Sequence, residues 1–314
     1  KACEGDGVIY APTQEVAGFK IIPRDSFDTA AAGFKTDHET LKERLDELSG
    51  DAREFAESYS RYNALRTYLS TFVEGLKNNR DRNDIVHPDF MQCVTATGRL
   101  SSRNPNFQNM PRGSTFAIRR AMVSRFEGGK ILEADYGQLE FRVAGYLASD
   151  PQVYHDVENK TDVHTVTAEI IGCSRQDAKA HTFKPLYGGT TGTPDQQRYY
   201  RTFKEKYAGV ADWHETLQRQ AVEKGYIELP SGRQYAFPGT TWTKYGTATN
   251  RTSICNYPVQ GFATGDLLPI SLVYLDKSMK SKKLKSVICN TVHDSIVLDV
   301  FPGEEDTCTE LVVE

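Results

Sequence analysis

Two aspartates close apolar stretches that stand far apart in the chain, and this pair limits the possible fold more than any other feature. Ile131, Leu132 and Ala134 lead into Asp135. Val287, Ile288 and Val292 lead into His293-Asp294-Ser295, after which Ile296, Val297, Leu298 and Val300 resume. The first stretch reads as a strand and the second as a β-hairpin with polar residues at its tip. A carboxylate at the end of an apolar strand is costly to desolvate unless it has a partner. Two carboxylates brought together repel, and a divalent cation compensates; Mg²⁺ prefers a few carboxylate oxygens plus substrate phosphates to a full protein cage. On spacing alone, a turn cap or a surface acid accounts for either aspartate equally well.

Helical periodicity fills the chain between the two strands. Leu139, Val143 and Leu147 form an apolar stripe directly after Asp135, and residues 151–225 read as mainly helical, with Gly and Thr breaks over 188–193. Within that region Arg175, Lys179, Phe183 and Tyr187 follow one another at intervals of four residues. One helical face then carries two cations followed by two aromatics. Such a face can hold a triphosphate and stack on a base, although the same spacing also arises by chance on a structural helix. Pro185 lacks an amide donor and should kink this helix. Upstream, Leu41, Leu45 and Leu48, then Phe55, Tyr59, Tyr62, Leu65, Leu69, Phe72 and Leu76, predict two helices separated at Gly50, the second one long. Residues 1–35, rich in Gly, Ala and Pro, have no clear period.

With 314 residues the chain exceeds the size at which one core usually divides, so two or more lobes are expected. Its hydrophobic content of 39% and charged content of 25% are those of a soluble globular protein, and no apolar run reaches bilayer length. No signal-like stretch follows Lys1. Cys3, Cys93, Cys173, Cys255, Cys289 and Cys308 form no CxxC pair, so a reducing cytoplasm is expected. A net charge of -4 argues against a nucleic-acid partner only until its distribution is read. Between Phe90 and Phe126 stand Arg99, Arg103, Arg112, Arg119, Arg120 and Arg125 without one Asp or Glu, while acids gather over Asp37 to Glu57. Residues 94–111 are rich in Ser, Asn, Gly and Pro and read as a loop with short ordered pieces. The lysines from Lys277 to Lys285 read as a solvated loop, with nucleic-acid contact as the alternative.

Four ordered segments carry a resemblance. Thr95-Ala96-Thr97-Gly98-Arg99-Leu100-Ser101-Ser102, then Pro105-Asn106-Phe107-Gln108-Asn109-Met110-Pro111, is similar to the primer-template segment of family A DNA polymerases, the DNA polymerase I type, above all their bacteriophage branch. Asp135-Tyr136-Gly137-Gln138-Leu139-Glu140-Phe141-Arg142 resembles motif A of that family. Arg175 through Tyr187-Gly188 resembles motif B, RxxxKxxxFxxxYG, and Val292-His293-Asp294 resembles motif C. The resemblance implies an α+β right-hand polymerase core with an antiparallel palm sheet, helical fingers and a partial thumb. Its parts would be an N-terminal segment and partial thumb over 1–78, palm over 79–150, fingers over 151–250 and palm again over 251–314. It also implies a fragment, beginning inside the thumb, without proofreading modules and stopping before the family's C-terminal tail.

The resemblance further implies template-directed addition of deoxynucleotides to a primer 3′-hydroxyl, with release of pyrophosphate. Two Mg²⁺ ions, with Mn²⁺ as a substitute, would be held by Asp135, Asp294 and the Tyr136 carbonyl. Asp135, Asp294 and Lys179 would be catalytic. Arg175, Lys179 and His164 would grip the triphosphate, with Gln138, Glu140, Phe183 and Tyr187 completing the nucleotide site and Glu140 excluding ribose. Arg99, Asn106, Gln108, Asn256, Gln260 and His293 would meet primer-template DNA, whose minor groove offers acceptors common to all correct pairs. Capping or core hydrogen bonding remains an alternative for Asn256 and Gln260. Ser295 departs from the family, which has Glu there, and Arg251 lies one position before the usual arginine. A catalytically inactive, polymerase-derived DNA-binding fragment is the competing reading; Glu140 argues against a single-subunit RNA polymerase. The expected partners are DNA and dNTPs, with no membrane, in a bacterial or phage-infected cytoplasm.

Overall fold

The computed structural model describes residues 41, 45–111 and 117–313, and the chain divides into two compact units, residues 1–78 and 79–314. The expectations for residues 1–35 lie outside the described residues, as does Arg112. In the first unit Gly50, at φ +53°, opens helix α1 (Gly50–Thr67). A π-helical stretch, Tyr68–Val73, carries it into α2 (Glu74–Asn79). Of the apolar stripe, Phe55, Tyr62, Leu65 and Leu69 are exposed and only Ala56 of α1 is buried. The period therefore predicts the helix but not a buried face.

The second unit is built on a three-stranded antiparallel sheet of order β3-β7-β6. It comprises β3 (Lys130–Asp135), β6 (Val287–Val292) and β7 (Ser295–Val300). Alternate residues face opposite sides. Ile296, Leu298 and Val300 pack with Leu132 and Ile288 against Leu268, Leu275, Met279 and Cys308. These come from helices α10 (Leu268–Ser281) and α11 (Glu305–Val313). The other side carries Glu133 and Asp135 on β3, paired with Val297 and Ser295 on β7. This side faces away from those helices, and on it β3, apolar in sequence, delivers the carboxylates of Glu133 and Asp135 to solvent, while Ser295 and Asp299 of β7 are buried. Lys277 and Lys280 lie on the last turns of α10, so the lysine run expected as a loop is partly helical. Cations there suit the negative end of the helix dipole.

Between β3 and β6 runs a helical body. Helices α3 (Leu139–Ala148), α4 (Pro151–Glu158), α5 (Val163–Ile171), α6 (Arg175–Thr182), α7 (Pro194–Lys206) and α8 (Ala208–Lys224) follow in order. Their starts are written in the sequence. Asp150, Asp162, Ser174 and Thr193 each cap a helix through a side-chain oxygen, with proline at the first position of α4 and α7. Asp150 is 1% exposed because it accepts not only from Gln152 and Val153 but also from Val210 N–H at 3.0 Å, tying α4 to α8. Phe141, Val143, Val153, Leu186, Tyr200 and Phe203 lead the core there. Burying a side chain the size of Phe141 contributes about 2–3 kcal/mol.

After α8 a hairpin of β4 (Tyr226–Glu228) and β5 (Gln234–Ala236) precedes α9 (Arg251–Gln260). Pro258 inside α9 cannot donate to the preceding turn, and within three residues the helix loosens into the π-helical stretch Gly261–Leu267 before α10. β1 (Asp89–Met91) pairs with β2 (Ser101–Arg103), and the described remainder of residues 94–111 is loop with a 3₁₀ turn at Phe107–Asn109, as its composition predicts.

Candidate functional site

The two aspartates meet at one end of the sheet. Asp135 pairs in register with Ser295, and Tyr136 N–H donates to the Asp294 carbonyl at 3.3 Å, so both carboxylates leave the backbone at the same strand ends. The desolvation expected of them is not found: Asp135 is exposed and Asp294 half-buried, because β3 is an edge strand and His293-Asp294 form the hairpin tip. Gln138 and His293, neighbouring these aspartates, adopt φ +56° and +57°. Non-glycine residues rarely occupy that region, at a cost of about 1 kcal/mol or more, and such strain gathers at working sites. Among the described residues no group of three His, Cys, Asp or Glu is arranged to hold a metal unaided. Two carboxylates and the Tyr136 carbonyl are hard oxygen donors, a set that fits a cation completing its shell with water and phosphate.

Beside this end lies the segment read as motif B, and here the structure corrects the sequence. The α-helix stops at Thr182, with Phe183 at its C-cap and Tyr187 in a 3₁₀ turn, Pro185–Tyr187. Pro185 cannot supply the N–H that the His181 carbonyl would accept, so the expected kink becomes a break. Arg175 and Lys179 are exposed, while Phe183 and Tyr187 are half-buried. Arg175 Nε lies 2.6 Å from Asp162 Oδ2; this bond, aided by those from Thr165, holds the Asp162 carboxyl down to about 2. His164 Nδ1 lies 3.0 Å from Thr182 Oγ1, and burial lowers its pKa, so the ring is neutral at pH 7. Phe183 packs edge-on to His164, centroids 5.2 Å apart, and against Phe141. The Tyr187 hydroxyl donates to the Glu140 carboxylate; burial first and that carboxylate second raise the phenol far above its usual pKa.

Arg99 stands in a loop clamped from several sides, by residues that the sequence reading missed. Tyr235 Oη donates to the Thr97 carbonyl at 2.8 Å. A Cβ at Gly98 would meet Arg233 Nη1 at 2.5 Å, and one at Gly265 would meet the Gly98 carbonyl at 3.0 Å. Arg233 is itself fixed by Asp266, through Nε at 3.0 Å and Nη2 at 2.6 Å, and Ser231 Oγ adds 2.7 Å to the other carboxylate oxygen. The only sequence sign of this clamp is the pair Gly261 and Gly265, spaced one helical turn apart. Charge on Arg99 and Asp294 also reaches Tyr187, which brings loop, hairpin tip and 3₁₀ turn into one neighbourhood.

Three of the five described arginines of the basic segment are paired within the chain. Arg103 pairs with Asp89, Arg119 with Glu133, and Arg125 with the buried Asp299 at 2.8 Å, so a cationic stretch in sequence is not a cationic surface in full. Asn106 Oδ1 caps the 3₁₀ turn by accepting from Gln108 N–H at 3.0 Å. Among the described residues Asn256 Oδ1 is sealed from solvent without a partner. Gln260, half-buried, lies one turn further along α9.

The sequence profile of DNA polymerase family A matches residues 22–314. DNA polymerase I of Lactococcus lactis subsp. lactis (strain IL1403) is 31% identical over 302 residues, covering 88% of this chain and 34% of the relative. DNA polymerase I of Synechocystis sp. (strain ATCC 27184 / PCC 6803 / Kazusa) is 30% identical over 322 residues, covering 89% and 31%. Among solved structures, the POL domain of Pol1 from M. smegmatis in complex with DNA primer-template and dNTP superposes with a TM-score of 0.76 at 25% identity, covering 90% of this chain and 53% of that one. The chain thus spans about a third of the length of these curated relatives. Among the described residues no helix is long and apolar enough to cross a membrane.

Proposed function

The chain belongs to DNA polymerase family A, and from that premise we propose that it adds deoxynucleotides to a primer 3′-hydroxyl by two-metal-ion phosphoryl transfer, releasing pyrophosphate. The observation that carries this reading is the convergence of Asp135 and Asp294 at one solvent-open sheet end. In this reading residues 79–150 and 251–314 are palm, 151–250 fingers, and 1–78 an N-terminal segment with part of a thumb. Primer-template DNA and dNTPs are the partners, as in the complex of the M. smegmatis relative. The bacterial relatives support a cytoplasmic location.

Mg²⁺ bound at Asp135, Asp294 and the Tyr136 carbonyl would activate the attacking hydroxyl and neutralise the leaving oxygens. The chain's own residues position and discriminate. Lys179, exposed on α6, neutralises triphosphate charge, and Arg175 joins it by exchanging Asp162 for a phosphate, a charge-for-charge swap that costs little where both groups are partly solvated. Neutral His164 donates one N–H to the same group. Glu140, fixed by Tyr187, closes the space a ribose 2′-hydroxyl would need. Phe183, an edge of the apolar core, stacks on the base. Arg99, Gln260 and Asn256 probe minor-groove acceptors, Asn106 and Gln108 seat the template strand, and His293 contacts the primer end.

The test is primer extension by the purified protein with deoxy- and ribonucleotides, each with and without Mg²⁺. Extension by deoxynucleotides only, and only with Mg²⁺, is expected. DNA binding without any extension would favour the inactive DNA-binding fragment.

A further inference from the structure

Two buried threonines stand behind His164, and the chemistry proposed for that residue uses neither. Thr182, the last residue of α6, is 1% exposed, and Thr167 on α5 is fully buried. Thr182 Oγ1 lies 3.0 Å from His164 Nδ1, 3.1 Å from Thr167 Oγ1 and 2.8 Å from the Ala178 carbonyl oxygen. Thr167 directs its own hydroxyl proton to the Val163 carbonyl at 2.7 Å. From α7, Tyr199 Oη donates to the Thr182 carbonyl at 3.0 Å and fixes the backbone of that residue. The Thr182 hydroxyl thus has one proton to give and three atoms able to accept it.

The direction of that proton decides the state of the imidazole. A neutral ring carries one N–H, and the partner of one nitrogen determines whether the other donates or accepts. A carboxylate or carbonyl behind Nδ1 would require Nδ1–H and leave Nε2 with a bare lone pair, able to donate to a phosphate only as imidazolium. Burial first, joined by the charges of Arg175 and Lys179 and opposed by Asp162, disfavours that cation. A hydroxyl behind Nδ1 can donate instead, and the Ala178 carbonyl loses little when it does, because that carbonyl lies in the helical ladder of α6. Resting on the triphosphate grip proposed above, we infer that Thr182 is a positioning residue: its hydroxyl donates to His164 Nδ1 and holds the nucleotide-bound ring as the neutral tautomer with its proton on Nε2, the form that donates to a phosphate oxygen. Arg175, Lys179 and Thr182 share α6, so one helix carries both cations of the grip and sets its third donor.

The test is calorimetric binding of inorganic tripolyphosphate at about pH 8, above the ordinary histidine pKa, to wild type, Thr182→Val, Thr182→Ser, His164→Ala and the double variant Thr182→Val with His164→Ala. Nitrogen-15 NMR of the histidine rings in wild type saturated with the same probe reads the tautomer, the His164 signal being identified by its absence from His164→Ala. Thr182→Val keeps the shape but loses the hydroxyl, and should weaken binding about tenfold, whereas Thr182→Ser should bind as wild type. In the His164→Ala background Thr182→Val should cost nothing further. The bound wild-type ring should be protonated at Nε2 and not at Nδ1. Thr182→Val binding as wild type, Thr182→Ser weakening binding as much as Thr182→Val, an equal loss with and without His164, or a bound ring protonated at Nδ1 would each refute the role of Thr182; with His164→Ala still weakened, the grip would stand. If His164→Ala binds as wild type, or wild type does not bind, the grip itself fails and this inference with it. Should Thr182→Val fail to fold, the wild-type NMR signature alone decides.

Discussion

Replacing Gly261 by alanine probes the clamp around Arg99. Gly261 has an ordinary helical φ, and helix propensity alone would make alanine stabilising there by about 1 kcal/mol. Packing predicts the opposite sign. The new Cβ would run into Tyr235 Oη and lie 2.7 Å from the Thr97 carbonyl and 2.8 Å from Tyr235 Cζ, backbone and ring atoms that cannot swing away. Overpacking costs about 1–3 kcal/mol, and pushing Tyr235 off the Thr97 carbonyl strands buried polar groups for about 1–3 kcal/mol more. The net expectation is a destabilisation of roughly 3 kcal/mol, or on the order of 10 °C in Tm for a unit of this size. Tyr235→Phe, which loses only the hydrogen bond, should cost about 1 kcal/mol. Because it also removes the worst clash, the double variant should be less stable than wild type by about 1 kcal/mol less than the sum of the two singles. The assay is urea unfolding of the four proteins, with primer-template affinity measured alongside; Gly261→Ala should also weaken DNA binding by moving Arg99. A Gly261→Ala protein as stable as wild type, or more so, would refute the clamp.

Glu140→Ala should lower the preference for deoxy- over ribonucleotides by on the order of 10- to 100-fold in kcat/KM ratios, with an unchanged ratio counting against its role as the ribose barrier. Phe183→Tyr should relax discrimination against dideoxynucleotides by roughly a hundredfold, since a tyrosine hydroxyl can replace the missing 3′-hydroxyl; equal ratios would leave Phe183 as packing against His164 and Phe141. His214 is 3% exposed, and burial, aided by the nearby Arg251 charge, lowers its pKa from 6.5 to about 4. Above pH 6.5 it is neutral whether folded or not. Between about 6.5 and 4 only the unfolded chain takes up the proton, so stability should fall by on the order of 3 kcal/mol as pH drops through that window. Urea midpoints at pH 7 and 4.5 measure this, and His214→Gln should flatten the dependence.

Periodicity made the fold legible where one interaction dominates. The stripe Leu139, Val143 and Leu147, the helical character of residues 151–225 and the hairpin around His293-Asp294 are local signals, and these elements lie where their residues predict, while the caps Asp150, Asp162 and Thr193 that divide the helical region emerged only from the structure. Family A membership and the α+β class were readable from the four motifs in order. Long-range effects were not readable. Nothing in Ile131-Leu132-Glu133-Ala134-Asp135 says that β3 is an edge strand, so the exposure of Asp135 escaped the sequence reading. The four-residue spacing from Arg175 to Tyr187 suggests one helix, but Pro185 removes a donor and the helix ends at Thr182. Arg119 and Arg125 look like DNA-binding cations until Glu133 and Asp299 arrive from remote strands. The same holds for Arg233, Tyr235 and Asp266, which become functional candidates only because the β4–β5 hairpin and the Gly261–Leu267 stretch fold back on Thr97 and Gly98.

The central claim is that Asp135 and Asp294 together form the metal end of the site. Single-turnover nucleotide addition by Asp135→Ala and Asp294→Ala, with primer-template binding measured in parallel, tests it most directly. Each substitution removes a carboxylate worth several kcal/mol of charge stabilisation, so addition should fall by roughly a thousandfold or more while DNA affinity changes little. Addition at the wild-type rate by either variant, or loss of DNA binding equal to the loss of rate, would contradict the assignment.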